Sequence, residues 1–130
     1  MKPTRIALIA ASLALLGAQP ALGQLFDGLK GKKLRTAITA AQAHPLGSEK
    51  NPIRADMPPG ERAYLARLRC ADGAAPAFQR LGSAGIGPYH NILDLYTVQC
   101  AGAQPVSVYI DMYHDHVETA PVAGFTIIAP

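Results

Sequence analysis

The chain predicts an α+β fold, with an N-terminal helix packed on a single antiparallel meander of four to six strands and one disulfide, Cys70–Cys100. Three observations lead there. Apolar residues recur with helical spacing only between residues 25 and 43. From residue 62 to residue 113 the apolar residues instead alternate or run in short blocks, separated by Gly, Pro and Asp-Gly turn signals. The two cysteines, the full complement of the chain, each close one of those blocks, Tyr64-Leu-Ala-Arg-Leu-Arg-Cys70 and Ile92-Leu-Asp-Leu-Tyr-Thr-Val-Gln-Cys100.

The helix rests on Leu25, Leu29, Leu34, Ile38 and Ala41, which fall near one face. Gly28 and Gly31 weaken its first turns, so it firms near Lys32. His44-Pro45 stops it, because the residue before a proline is pushed out of helical geometry. Residues 52–57 read as an edge strand beginning at its proline. Pro58-Pro59-Gly60 is a turn signal that joins this edge to a strand over 62–70. Asp72-Gly73 marks the next turn, and 77–81 a third strand with Phe78 as its apolar contact. Residues 82–91, with three glycines and a proline, read as an irregular hairpin loop. That segment lacks the Gly-Lys-Ser/Thr ending of a phosphate-binding loop and leads into a strand rather than a helix. Strands follow over 92–100 and 106–113. In the second, Val106, Val108, Ile110 and Met112 alternate with Ser107, Tyr109, Asp111 and Tyr113. A last strand is expected near residues 125–128.

Strand parity then assigns faces. Tyr64, Ala66, Leu68, Cys70, Ile92, Tyr96, Val98 and Cys100 face the helix. Arg67, Arg69, Thr97, Gln99, Tyr109, Asp111 and Tyr113 form the open face. Asp94 falls on the core side and needs a hydrogen-bond partner, while Leu93 and Leu95 fall on the open side and need a cover.

Residues 1–23 read as a secretory signal peptide. Lys2 and Arg5 precede an apolar run from Ile6 to Leu16, and Ala21-Leu22-Gly23 puts small residues at the cleavage point. The run is shorter than the roughly 20 residues a membrane span needs, and no cysteine stands there to take a lipid. What is left, residues 24–130, is a single small exported domain, periplasmic or secreted. Without Lys2 and Arg5 the charges are ten basic against nine acidic, about +1, with no long basic stripe, so nucleic acid is not expected as a partner. In an exported chain an even cysteine count favours a disulfide over a thiolate nucleophile or a zinc site. Closing about 30 residues contributes roughly 3.5 kcal/mol.

These features suggest a binding or accessory domain for an unidentified protein or small ligand. The candidate contacts are Arg67, Arg69, Tyr109, Asp111 and Tyr113 on the open face, joined by Tyr89 and His90 from the loop, since Arg and Tyr dominate recognition surfaces. No catalytic residue is assigned. The serines sit in no nucleophile elbow, and Asp94 and Asp111 have opposite parity, which sends them to opposite faces. No cofactor is expected. The alternative is a metal-dependent enzyme or metal-binding protein, with Asp111, His114 and His116 taking a divalent metal at the strand end. An envelope subunit self-associating through the 52–57 edge is a third reading.

Overall fold

A computed structural model describes residues 27–130; the signal-peptide assignment lies outside the described residues. In chain order the elements are α1 (Gly31–Ala41), β1 (Ile53–Arg54), α2 (Met57–Arg67), β2 (Leu68–Arg69), β3 (Ala77–Ile86), β4 (Ile92–Gln99), β5 (Val106–Asp111) and β6 (Thr126–Ile127). The fold is α+β. A four-stranded sheet runs β1-β5-β4-β3, and β2 pairs with β6 in a separate two-stranded sheet.

The stretch predicted as turn and strand over 58–70 is instead mostly helix. Proline is tolerated in a first helical turn, where the missing N–H has no intrahelical partner anyway, so Pro58 and Pro59 open α2 rather than a hairpin. Tyr64 and Leu68 fit both a strand and a helix, being four residues apart. The neighbours decide: Leu65 is completely buried and Ala66 is exposed, the reverse of the strand parity. Glu61, Tyr64, Leu65 and Leu68 form one stripe with helical spacing, and all four are buried.

α2, rather than the N-terminal helix, therefore covers the sheet. The core gathers Tyr64, Leu65 and Leu68 with Ile53, Ala55, Tyr96, Val98, Val108, Ile110 and Val122. α1 forms where the spacing placed it and ends ahead of His44-Pro45, but it buries only Ala41 and contributes nothing to that cluster. Gly47 holds the following loop close to the core. Its φ is +86°, and a Cβ there would lie 2.8 Å from Val122.

The sheet is mixed, not a simple meander. β1 is an edge strand, as expected, but it runs parallel to β5, with Ile53 opposite Ile110 and Arg54 opposite Asp111. Parallel pairing needs a long crossover, and α2 with the β3–β4 hairpin supplies it. The hairpin is longer than predicted. β3 continues to Ile86 through two register shifts, so only residues 87–91 turn. Leu93 finds its cover in that turn, where a Cβ on Gly87 would sit 2.6 Å from Leu93. The disulfide forms, with Cα atoms 5.9 Å apart across 30 residues. It does not pin neighbouring strands of one sheet. Cys70 follows β2 and Cys100 follows β4, so it ties the end of the α2–β2 unit to the end of the main sheet.

Candidate functional site

Among the described residues two groups of polar side chains gather in the interior, and a cleft opens beside α2. The first buried group gathers at the end of β5. Asp111 is fully buried and accepts from Asn91 Nδ2 at 3.0 and 3.2 Å and from the Tyr113 amide at 3.1 Å. His114 Nε2 lies 3.2 Å from Asp111 Oδ2 but is not aligned for a hydrogen bond. The imidazole stacks edge-on against Tyr89, with ring centroids 5.3 Å apart. Burial raises the Tyr89 hydroxyl above its ordinary range. These contacts join the end of β5 to the 87–91 turn. Asp111 and His114 come together as a structural pair away from solvent.

The second buried group joins three elements under the core. Glu61 of α2 is completely buried, and neither carboxyl oxygen meets a donor. It lies beside Asp94 of β4, and Asp94 accepts two bonds of 2.9 Å from Arg80 of β3. This is the partner that Asp94 required. Burial, and after it the Asp94 charge, pushes Glu61 from its ordinary 4.5 to about 8. The Arg80 guanidinium holds Asp94 below its usual range. Two ionised carboxylates are both acceptors only, so a single proton on Glu61 turns the contact into an O–H···O bond.

The open cleft is built by α2 and the segment after β5. Tyr64 Oη donates to the Ala120 carbonyl at 3.0 Å and accepts from the Val122 amide at 3.1 Å. Arg67 Nη2 donates to the Glu118 carbonyl at 2.6 Å, and its guanidinium lies 5.7 Å from the Tyr64 ring centre. Tyr64 and Arg67 thus hold residues 116–122 alongside α2 and leave two cavities. One, of about 340 Å³, has mainly apolar walls that include Ala55, Ala63, Tyr64 and Val117. The other, of about 390 Å³, is more polar, with Gln42, His44, Asn51 and Tyr89 among its walls. Arg54 and Glu118 line both, so the cavities meet there.

The charges at the junction are unequal. Arg54 and Arg67 are in no ion pair among the described residues. Among the described residues Glu118 is the one acidic side chain lining either cavity, with the chain's last residue, Pro130, also on the wall of the apolar one, and its Oε1 already accepts from the Thr119 and Ala120 amides at 2.9 and 3.0 Å. His116 Nε2 sits 3.4 Å from Arg54 Nη2 and 3.6 Å from Glu118 Oε2. One nitrogen serves only one of them at a time. It accepts from Arg54 with its lone pair, or it carries a proton and pairs with Glu118.

The sequence-derived candidates scatter. Arg67 and Tyr89 reach the cleft. Arg69 bonds the nearby Ala66 and Leu68 carbonyls at the end of α2, Tyr109 is half-buried on β5, Tyr113 is exposed beyond it, and His90 tops the turn at φ 65°. The supposed open face of Arg67, Arg69, Tyr109, Asp111 and Tyr113 is not one surface, because Arg67 belongs to a helix and Asp111 points into the interior. The metal trio does not converge either. Asp111 and His114 meet, His116 turns to Arg54 and Glu118, and no three His, Cys, Asp or Glu among the described residues are placed to share an ion. Asp94 and Asp111 do take different partners, in line with their parity. Sequence reading passed over Arg54, since a lone arginine in a two-residue strand carries no pattern. It also passed over Glu61, whose helical spacing with Tyr64, Leu65 and Leu68 was the available signal. Comparison with protein-family models, curated proteins and solved structures returns no match.

Proposed function

We propose that the protein is a small exported domain, periplasmic or secreted, that binds a small ligand in the cleft at Arg54 and performs no chemistry itself. The observation carrying this reading is that two cavities share Arg54, a half-buried arginine that no carboxylate pairs among the described residues. Cavities of a few hundred Å³ with apolar walls and few polar groups are the usual form of small-molecule sites. The disulfide supports export, because such bonds persist in oxidising compartments. The test is a set of ¹H–¹⁵N correlation spectra of the exported protein with mixtures of small monocarboxylates, amines and sugars. Shifts clustered on Arg54, Tyr64, Tyr89, His116 and Ala120 are expected. Shifts confined to β3, or none, refute the cleft.

A second reading follows from β3. This ten-residue strand ends the sheet, and Phe78, Leu81 and Ile86 are exposed on it. Its one charge, Arg80, is taken by Asp94. A long apolar edge is a template for pairing with another chain. This moves the proposed self-association from the two-residue β1 to β3. Light scattering across a hundredfold concentration range decides it, and a monomer throughout removes the reading.

A further inference from the structure

The chemistry of the cleft narrows the ligand, given the small-molecule reading above. We infer that the site takes an amphiphilic monocarboxylate, its chain against Ala55, Ala63, Tyr64 and Val117 and its carboxylate on Arg54.

Charge complementarity carries the choice of head group. Arg67 is 9% exposed, and among the described residues its guanidinium meets the Glu118 and Ile128 carbonyls and the Tyr64 ring. Among the described residues the one side-chain hydrogen-bond contact of Arg54 is with His116, and it is long, 3.4 Å. Two arginines and one acidic side chain, Glu118, line the apolar cavity, and neither guanidinium is in an ion pair among the described residues. A guanidinium presents a fork of donors that a carboxylate meets with two parallel bonds, and the pairing gains strength where water is scarce. The bound carboxylate displaces His116 from Arg54. The other group beside His116 Nε2 is Glu118 Oε2, 3.6 Å away.

The apolar cavity decides the rest of the molecule. Its volume of about 340 Å³ exceeds what a carboxylate alone fills, and its walls offer a chain aliphatic and aromatic surface. Val117 stands at its mouth, 60% exposed, an apolar side chain that a bound chain would cover.

Calorimetry with decanoate and decan-1-ol separates head from tail. The exported protein should bind decanoate at least roughly tenfold more tightly than decanol, the gain expected of a charge-assisted bond pair. Arg54→Met keeps the aliphatic stem and should bring decanoate down to the level of decanol without weakening decanol. Val117→Asp changes an exposed position, so folding is preserved, and its carboxylate should weaken decanoate more than decanol. Equal binding of the two probes to the native protein, or decanoate binding unchanged in both variants, overturns the carboxylate assignment and leaves a small-ligand cleft standing. Failure of both probes while an amine or sugar shifts the Arg54 and Tyr64 resonances overturns the ligand class alone. Failure of every probe overturns the cleft with it.

Discussion

Replacing Glu61 by glutamine tests the least expected feature of the interior, a carboxyl that keeps its proton at neutral pH. In the folded chain Glu61 stays protonated up to about 8, against an ordinary 4.5. Between those values the folded state holds a proton that the unfolded state has released. Stability contributed by this group is therefore complete below pH 4.5 and falls as pH rises, by about 1.4 kcal/mol per pH unit, until it levels off above about pH 8. From pH 5 to pH 7.5 the loss amounts to about 3 kcal/mol, a large share of a small domain's net stability. Asp94 is held below its usual range and Arg80 above its own, so neither titrates in this window. Glutamine keeps the volume, and its amide donates to Asp94 as the acid proton did, but it releases nothing. Urea unfolding of both proteins at half-unit steps from pH 5 to pH 9 provides the assay. The histidines are common to the two proteins and cancel in the difference. The variant should gain on the native protein by about 3 kcal/mol between pH 5 and pH 7.5. A difference that does not change with pH refutes the shared proton.

Reducing Cys70–Cys100 frees a link spanning 30 residues. It should cost about 3.5 kcal/mol and lower Tm by about 10 °C or more, while an unchanged melt in reductant refutes the staple. Tyr64→Phe strands the Ala120 carbonyl and the Val122 amide. A loss of about 1–3 kcal/mol in urea unfolding is expected, and no loss means the 116–122 wall is held by other contacts. Asp111→Ala leaves Asn91 and the Tyr113 amide without their acceptor. It should destabilise by about 3 kcal/mol whether or not zinc is present. A melt raised by zinc in the native protein and not in the variant revives the metal reading.

Much of the fold could be read from local pattern because the pattern had one solution. The alternation through Val106–Asp111, the apolar block of Ile92–Gln99 and the stop at His44-Pro45 each produced the element expected. The disulfide was legible because only two cysteines exist to pair. Between residues 58 and 70 the pattern was degenerate. Pro58-Pro59-Gly60 suits a turn or a helix start, and Tyr64 with Leu68 suits period two or period four. The burial of Leu65 against the sheet settled it, a contact between residues distant in the chain. The site was less legible still. Arg54, Tyr64, Arg67, Tyr89, His116 and Glu118 come from four separate stretches, and no spacing rule links them.

The amino-acid order by itself determined the class of fold, the cysteine pairing and the positions of the strands β4 and β5. Short-range sterics and hydrophobic periodicity are written residue by residue, so no distant partner was needed for these. Which helix covers the sheet, the direction of β1 and the meeting of two cavities at Arg54 were decided only in three dimensions. Each is a competition among remote surfaces for the same buried space, and it is settled by which packing removes the most apolar area from water while leaving the fewest charges unmatched.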